Sequence, residues 1–414
     1  MKFLIVTFAP TLKKEDKFYS YAPYVYEMNL WSKYITELGI VSPIVYADKL
    51  LLSSFEKQPK IFPIQSISFV SVKSFFWSLY RIPLIIVQLF KAMQWADHIH
   101  VRCPGNIGLL GCIVQVAFPN KPKTVKYAGN WDPKSKQPFS YQLQKWIVSN
   151  TFLTRNTKVL VYGEWPNQSK NIVPFFTATY SDEEIRHPQT CTERSRSVDW
   201  GSHDLENDGQ IPNHPSTPLR NQVRNDEREK NLPKPVLIDS KINFLFVGAL
   251  TKGKQPLLSV KVVHELKKKG YQVQLDLYGE GVEREAIETY IKEYKLETNI
   301  LLHGNVSKEI IKRAYQKAHF LLFISKSEGW PKVVAEAMFW GCLPITSAVS
   351  CVPYMLDNGN RGAIVHANVD EITLVAEGYL NDNEKYVTQV KKAMEWSRYY
   401  TLEKFEEEIG KVLV

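Results

Sequence analysis

Two acidic residues with a fixed spacing are the first feature of this sequence that could do chemistry. Glu328 and Glu336 lie eight positions apart in the stretch SKSEGWPKVVAEAMFWGCLPITS, which begins at Ser325. The apolar run before it predicts a strand, and Pro331 suits the first position of a helix, where its missing N–H costs nothing. We predict that a helix begins at Trp330 or Pro331, with Glu328 in the preceding loop and Glu336 on the second helical turn.

The start of this helix is suited to binding an anion. First-turn N–H groups have no acceptor within the helix, and the helix dipole adds partial positive charge there, so we expect a diphosphate at this point. The residues expected to line this site are Gly329, Trp330, Pro331, Lys332 and Val333. A carboxylate can accept hydrogen bonds from two neighbouring sugar hydroxyls. The two acids are therefore expected to hold two sugars, one on each side of the diphosphate.

A second anion-binding element is predicted in VGALTKGKQPLL. A strand ends near Gly248, and the loop that follows it carries Lys252 and Lys254 before the next helix. Flexible lysines beside a strand end can neutralise phosphate without a metal ion. Solvated loop lysines are the alternative interpretation, and we favour phosphate contact.

Two further strand ends could approach a nucleotide base. Gly279 and Gly281 follow a strand in LYGEGVERE, and the next strand ends at LLHGNV, with Gly304 and Val306. Glycines at tight turns allow close approach of a ligand to the backbone. A lone G-x-G is weak evidence, because the full dinucleotide fingerprint is absent. His303 in this stretch is interpreted as structural rather than catalytic.

The elements that must position these residues form two alternating series of strands and helices. Apolar runs such as FLIVTFA, HIHVR and KVLVYG alternate with helical patterns, and the alternation resumes at KINFLFVGAL. This predicts an α/β fold of two doubly wound, Rossmann-like domains facing each other across a cleft. Residues 1–185 form the acceptor-side domain and residues 234–395 the nucleotide-sugar domain, while residues 396–414 form a helix that returns to the first domain. Residues 186–233 are polar and lack apolar periodicity, which indicates a disordered insertion or linker.

The amino-acid composition limits the classes of molecule that the protein could bind. The 414 residues include 52 Lys and Arg against 43 Asp and Glu, a net charge of +9, which suits nucleotide phosphate, an anionic lipid surface or nucleic acid. No nucleic-acid-binding motif occurs, and we expect no nucleic-acid partner. The five cysteines form no CxxC pair and are interpreted as reduced thiols of a cytoplasmic protein. We predict neither a metal site nor a cofactor.

The most apolar segment runs from Ser74 to Trp95. Arg81, Pro83 and Lys91 interrupt it, whereas a membrane-spanning helix needs about 20 nearly uncharged residues. We therefore favour a half-buried helix of the first domain over a helix on a membrane surface, and we do not expect a transmembrane span.

Taken together, these motifs resemble a known enzyme family. The two acids followed by EAMFWGCLP, the upstream VGAL and KGKQPLL, and the G-x-G strand end are similar to the retaining glycosyltransferases of family 4, also called group 1, with GT-B architecture. The resemblance covers most of residues 241–365. It implies transfer of a hexose from a UDP- or GDP-linked sugar, with retention of configuration and without metal. It also implies that Glu336 binds the ribose, Glu328 contacts the donor sugar and Lys252 stabilises the leaving diphosphate.

The sequence departs from this family pattern at two points. Ala249 stands where the family usually carries an arginine, so Lys254 is expected to supply the missing phosphate cation. Arg102 could supply it instead, or could simply pair with a buried acid. A histidine common in the first domain is replaced by the strand end TVKYAGNWDP. There Asn130 is the candidate for contact with the donor or acceptor, and Asp132 is a candidate base, although a turn is the simpler interpretation of NWDP.

The expected role is assembly of cell-envelope polysaccharide or lipopolysaccharide in the cytoplasm, at the inner face of the membrane. The acceptor would be a saccharide or a lipid-linked saccharide, and peripheral membrane contact would follow from the basic charge and the apolar segment. A GT-B-like nucleotide-sugar 2-epimerase is the alternative, and a non-catalytic nucleic-acid-binding protein is the third hypothesis.

Overall fold

The computed structural model describes residues 1–45, 52–67, 71–186 and 241–413. Apart from Arg186, the insertion predicted at 186–233 lies outside these residues. The chain divides into two compact units. Unit 1 comprises Met1–Thr177, Glu328–Trp330 and Phe405–Val414, and unit 2 comprises Ala178–Ser327 and Pro331–Lys404.

Unit 1 is built on one large sheet. Its strands are β1 (Lys2–Val6), β2 (Thr11–Lys14), β3 (Lys17–Tyr21), β4 (Glu37–Val45), β5 (Leu52–Ser54), β6 (Lys60–Ile64), β7 (His98–Cys103), β8 (Lys123–Tyr127), β9 (Thr157–Tyr162) and β10 (Ile172–Phe175). The order is β10-β9-β8-β7-β1-β4-β2-β3-β5, and β6 also pairs with β4. The strands from β10 to β4 run parallel, whereas β3 is antiparallel to both β2 and β5.

The helices of the described residues lie between these strands and those of unit 2, and three of them end the chain. They are α1 (Ala22–Ser32), α2 (Val72–Trp95), α3 (Asn106–Val114), α4 (Phe139–Ser149), α5 (Asp182–Arg186), α6 (Pro256–Lys268), α7 (Arg284–Glu293), α8 (Lys308–Lys317), α9 (Lys332–Phe339), α10 (Val352–Met355), α11 (Val369–Leu380), α12 (Asn383–Ser397) and α13 (Leu402–Leu413). In unit 1, α2, α3 and α4 connect strands that progress in one direction across the sheet. Because such crossovers are right-handed, these three helices cover one sheet face, and they contact one another in series.

Unit 2 has a six-stranded, fully parallel sheet. Its strands are β11 (Ile242–Val247), β12 (Val273–Tyr278), β13 (Ile300–Gly304), β14 (Phe320–Phe323), β15 (Leu343–Ser347) and β16 (Ala363–Val365), in the order β13-β12-β11-β14-β15-β16. Apolar residues from the strands and from α6, α11 and α12 form its core. The first five strands confirm the sequence prediction. The short β16 was missed, because three apolar residues carry no periodicity.

The apolar runs of the sequence do not predict the antiparallel strands near the N-terminus. The stretch FYSYAPYVYEMNLW forms most of β3 and α1, with Pro23 in the first turn of α1. Tyr24 is buried at 6% exposure, whereas Tyr21 is 45% exposed. The antiparallel strands contain alternating polar residues, so they form no continuous apolar run that would predict a strand.

Helix α2 confirms the prediction of a half-buried helix. One side, formed by Ile85, Leu89, Ala92 and Met93, lies in the core of unit 1. By length and composition, Phe76–Trp95 is the one helix within the described ranges that could cross a membrane. Since its inner side packs on the sheet, α2 belongs to the folded unit.

Candidate active site

The loops that follow β11 and β14 lie side by side in unit 2. The two strands are parallel neighbours, so both loops start at the same edge of the sheet. The N–H of Lys326 donates to the carbonyl of Gly253 over 2.9 Å, and the Ser325 hydroxyl lies 3.4 Å from the same carbonyl. The structure thus brings the lysine-bearing loop, residues 248–255, together with the loop that leads towards α9.

The two lysines of this loop have different surroundings. Lys252 is exposed. The ammonium of Lys254 lies 4.9 Å from the ring centre of Phe323, at the end of β14. A cation over an aromatic ring is held in place without losing its charge. Both predicted cations therefore sit at the edge where β11 and β14 end.

Helix α9 begins slightly later than predicted. Its first residue is Lys332, and Pro331 is the N-cap, with φ −76° and ψ 85°. This ψ is not helical, so placing Pro331 at the first helical position was wrong. The N–H groups of Lys332 and Val333 belong to the first turn, where an α-helix provides no acceptor.

Glu336 is held in a defined position on the second turn of α9. The Tyr315 hydroxyl donates to Oε2 over 3.1 Å, and the Thr179 hydroxyl donates to Oε1 over 2.8 Å. Tyr315 is fully buried, and burial raises the pKa of its hydroxyl well above the ordinary value, with the Glu336 charge adding to the shift. A carboxylate offers about four acceptor positions, so each oxygen can accept a further hydrogen bond.

Sequence reasoning missed both of these donors. Thr179 precedes α5 and lies 157 positions from Glu336 in the chain. Tyr315 lies on α8, in KEIIKRAYQK, where its spacing is that of an ordinary core residue. No local motif marks either residue as a partner of the acid.

Glu328, Gly329 and Trp330 group with unit 1. The Trp330 ring lies 5.6 Å from that of Tyr162. A Cβ on Gly329 would lie 2.1 Å from the carbonyl oxygen of Ala128, so this position requires glycine. Glu328 itself is part-buried. Its role as a sugar ligand stays a prediction.

The glycines at the ends of β11, β12 and β13 allow close packing of backbone against backbone. A Cβ on Gly279, where φ is +138°, would lie 2.0 Å from the carbonyl oxygen of Gly248. A Cβ on Gly281 would lie 2.3 Å from that of Leu250. The N–H of Gly279 donates to the carbonyl of Gly304 over 2.8 Å. Close packing of the backbone thus explains why glycine occupies these positions, and contact with a nucleotide base stays a prediction.

The edge of this glycine cluster carries a paired histidine. His303 Nε2 lies 2.6 Å from Asp276 Oδ1, and its ring stacks on Tyr278 with centres 4.4 Å apart. Val306 follows β13 and is part-buried in the loop before α8. The sequence predicts that backbone groups at this position contact the base, and that contact stays a prediction.

Arg102 lies in a buried charge cluster of unit 1. Its Nη1 donates to Glu27 over 2.9 Å, and Lys126 Nζ donates to the same carboxylate oxygen over 2.8 Å. Burial alone would raise the pKa of Glu27, but the charges and hydrogen bonds of the two cations outweigh it and hold that pKa well below its usual range. Of the two roles considered for Arg102, the structure displays the pairing with a buried acid.

Asn130 and Asp132 form a turn. The Asn130 side-chain oxygen accepts from the N–H of Asp132 over 2.9 Å, and Asp132 Oδ1 accepts from the N–H of Lys134 over 2.8 Å. These are the local bonds with which Asn and Asp stabilise turns. Contact of Asn130 with a substrate stays a prediction.

The titratable side chains of the described residues form no group of three that could hold a metal ion. The cysteines in this part of the chain are reduced and buried, namely Cys103, Cys112, Cys342 and Cys351.

The second half of the chain is similar in sequence to known glycosyltransferases. Residues 227–396 match the model of the family described as Glycosyl transferases group 1. Two curated relatives come from Campylobacter jejuni. One is a GalNAc-α-(1→4)-GalNAc-α-(1→3)-diNAcBac-PP-undecaprenol α-1,4-N-acetyl-D-galactosaminyltransferase, 27% identical over 41% of this chain and 47% of its own length. The other is an N-acetylgalactosamine-N,N'-diacetylbacillosaminyl-diphospho-undecaprenol 4-α-N-acetylgalactosaminyltransferase, 32% identical over 36% of each chain. The match therefore spans less than half of either relative.

Structural comparisons cover the whole chain. Sucrose-phosphate synthase from Thermosynechococcus elongatus has a TM-score of 0.60 at 15% identity, with 100% of this chain and 98% of that one covered. Anabaena HepE, solved in complex with UDP, has a TM-score of 0.62 at 12% identity with the same coverage. A glycosyltransferase from Rickettsia africae has a TM-score of 0.58 at 13% identity, again with 100% and 98% covered. At these identities the likeness shows the fold alone, which confirms the predicted two-domain α/β architecture of GT-B glycosyltransferases.

Proposed function

We propose that the chain, whose residues 227–396 match the family model described as Glycosyl transferases group 1, transfers a hexose from a UDP- or GDP-linked sugar to an acceptor, with retention of anomeric configuration. The bond between the anomeric carbon and the diphosphate breaks, and the acceptor oxygen bonds to that carbon. The acceptor proton leaves with the nucleoside diphosphate. The observation that carries this proposal is the Glu336 carboxylate, held by two hydroxyl donors on the second turn of α9. The loop that leads towards α9 is hydrogen-bonded to the lysine-bearing loop, residues 248–255.

Unit 2 supplies the proposed donor site. Glu336 accepts hydrogen bonds from the ribose hydroxyls, for which its oxygens retain acceptor positions. The first-turn N–H groups of α9, with Lys252 and Lys254, stabilise the charge that develops on the departing diphosphate. Because these are fixed N–H groups and ammonium groups, we propose that the transfer requires no metal. Tyr315 and Thr179 act indirectly, by fixing the rotamer of Glu336.

Unit 1 supplies the proposed acceptor side. Glu328 contacts the hydroxyls of the transferred sugar, and Asn130 contacts the donor or the acceptor. Both curated relatives are named for undecaprenol-diphosphate-linked substrates, which supports a lipid-linked saccharide as acceptor and a role in cell-envelope polysaccharide assembly. The proposed location is the cytoplasm, at the inner face of the membrane that carries such acceptors.

A screen of nucleotide sugars by thermal shift tests this function. One donor should raise the melting temperature of the wild type, and the shift should vanish in Glu336→Ala, because a ligand stabilises only the form that binds it. Glu377→Ala is the control, since that acid also lies in unit 2 but pairs with Lys269 at the surface.

The same donor then separates transfer from isomerisation. Release of nucleoside diphosphate that depends on an added saccharide or lipid-linked acceptor supports the proposal. A donor whose sugar epimerises without an acceptor would support the 2-epimerase instead. Folded protein that neither binds nor cleaves any UDP- or GDP-sugar would refute both.

A further inference from the structure

Helix α2 presents a broad apolar side to solvent. Its outward side chains include five large apolar residues that are at least 45% exposed, namely Trp77, Tyr80, Leu84, Val87 and Phe90. The opposite side of the helix packs into the core of unit 1, so its position on the sheet is fixed. Contiguous exposed apolar surface of this kind marks a binding surface for a protein or a membrane.

This surface continues onto the neighbouring helices. The ring of Phe90 lies 5.0 Å from that of Phe118, which follows α3, and Ile113 and Val116 are exposed on the same stretch. Helix α4 packs against α3 and exposes Phe139 at 78% and Trp146 at 60%. We call the exposed apolar residues of α2, α3 and α4, together with Val116, the α2–α4 face. The face thus extends across one whole helical layer of unit 1.

The part of the chain that forms this face is strongly basic. Residues 71–160 contain 12 Lys and Arg but only 2 acidic residues, Asp97 and Asp132. Several of the cations are exposed, namely Lys91, Lys134, Lys136 and Arg155. The Arg155 guanidinium lies 4.8 Å from the ring centre of Phe152, which is itself 72% exposed. Aromatic side chains interspersed with cations suit the boundary between lipid headgroups and acyl chains.

We propose that the α2–α4 face binds an anionic phospholipid bilayer, with α2 lying in the plane of the membrane surface. Trp77, Tyr80, Leu84 and Phe90 enter the headgroup boundary, while exposed cations such as Lys91 on α2 lie against anionic headgroups. A second copy of the chain fits this face poorly, because pairing would bring two basic surfaces together. A spanning α2 would have to leave the core in which Ile85, Leu89 and Met93 are buried. The inference rests on the surface of unit 1 and not on the transfer chemistry.

Cosedimentation of the full chain with lipid vesicles tests the inference. The wild type should bind vesicles of phosphatidylglycerol and phosphatidylcholine, should bind pure phosphatidylcholine vesicles more weakly, and should be partly released by salt. The double variant Tyr80→Ser and Leu84→Ser should bind the anionic vesicles about tenfold more weakly or worse, since two exposed apolar side chains are lost.

A matched variant supplies the control. Tyr399→Ser with Leu374→Ser removes the same residue types from unit 2, where they are 61% and 69% exposed, against 70% and 56% for Tyr80 and Leu84. This control should bind anionic vesicles like the wild type. Equal binding by both double variants, or no vesicle binding by a folded wild type, would overturn the proposal. A second copy of the chain would be the partner instead if the wild type forms a dimer in sedimentation velocity, if Tyr80→Ser with Leu84→Ser dissociates that dimer, and if neither protein binds vesicles. That result would also overturn the proposal.

Nucleotide-sugar binding gives an independent readout. Tyr80→Ser with Leu84→Ser should retain the thermal shift produced by the donor, because neither residue lies in unit 2. Vesicle binding without any donor binding would leave the membrane inference standing and the transferase proposal refuted, so the two failures are distinguishable.

Discussion

Each unit holds an acidic side chain among hydrogen-bond donors, but the donors differ in charge. Glu27 in unit 1 is paired with two cations, Arg102 and Lys126. Within the described part of the chain, the direct partners of Glu336 in unit 2 are two hydroxyl groups. Cations neutralise a carboxylate, whereas hydroxyl donors orient it and leave its charge in place. We infer from this comparison that Glu27 stabilises the fold, and we propose that Glu336 is positioned for a ligand.

Removal of Glu27 should have the largest effect on stability. Glu27→Ala leaves Arg102 and Lys126 without their shared counter-ion, and the Lys126 side chain is only 1% exposed. Breaking a buried ion pair in this way typically costs about 3–5 kcal/mol of unfolding free energy. Chemical denaturation followed by circular dichroism measures the change.

An exposed pair in the same unit is the control for this variant. Glu406 and Lys33 form a salt bridge of 2.6 Å with side chains 31% and 50% exposed. Glu406→Ala should cost at most about 1 kcal/mol, because exposed ion pairs contribute little. A Glu27→Ala protein as stable as Glu406→Ala would contradict the structural role of the buried cluster.

The buried histidines of β7 should make unit 1 sensitive to mild acid. Burial, with the nearby charges of Lys158 and Lys123, lowers the pKa of His98 from 6.5 to about 4. Burial, followed by the charge of Arg102, lowers the pKa of His100 well below 6.5. Between pH 6.5 and 4 the unfolded chain therefore binds more protons than the native protein, and stability falls as the pH falls.

The size of this acid effect can be measured by urea unfolding across that pH range. The loss assigned to His98 is on the order of 3 kcal/mol between pH 6.5 and 4. His98→Gln keeps an amide donor for the Thr124 hydroxyl, which accepts or donates at 3.0 Å in the native protein. This variant should flatten the profile, and an unchanged profile would show that His98 is not the responsible group.

A smaller and more specific effect is expected at Tyr315. Tyr315→Phe removes the hydroxyl that donates to Glu336 while keeping the buried ring, so the dissociation constant for the nucleotide sugar should rise about two- to tenfold. Tyr386→Phe is the control, because its equally buried hydroxyl donates at 3.3 Å to the carbonyl of His319. Isothermal titration calorimetry measures the dissociation constant of the nucleotide sugar for each variant. Equal constants for the two variants would show that Tyr315 does not position Glu336.

The sequence predicted most of the parallel strands of both units, because buried parallel strands are continuous apolar runs. The five long strands of unit 2 and the central strands β1, β4, β7, β8 and β9 of unit 1 were found in this way. The strands β2, β3, β5 and β6 are short or polar, and apart from the β2–β3 hairpin their pairing partners lie further away in the chain. Sheet neighbours, rather than their own composition, determine such strands.

For the candidate site, local spacing placed the start of α9 to within two residues, with Glu336 on its second turn. That these residues bind a substrate stays a prediction. Local spacing could not show that Thr179 and Tyr315 hold the carboxylate, because those contacts join distant segments. Nor could it show that Gly279 and Gly281 are required by backbone packing rather than by a ligand.

Binding of a ribose by Glu336 is the central claim, and a paired titration tests it most directly. With the base identified by the thermal-shift screen, the affinities of the nucleoside diphosphate and of its 2′,3′-dideoxy analogue would be measured for the wild type and for Glu336→Ala. We expect the wild type to bind the ribose form about tenfold more tightly or better, and the variant to bind both forms equally. The same preference for ribose in both proteins would contradict it.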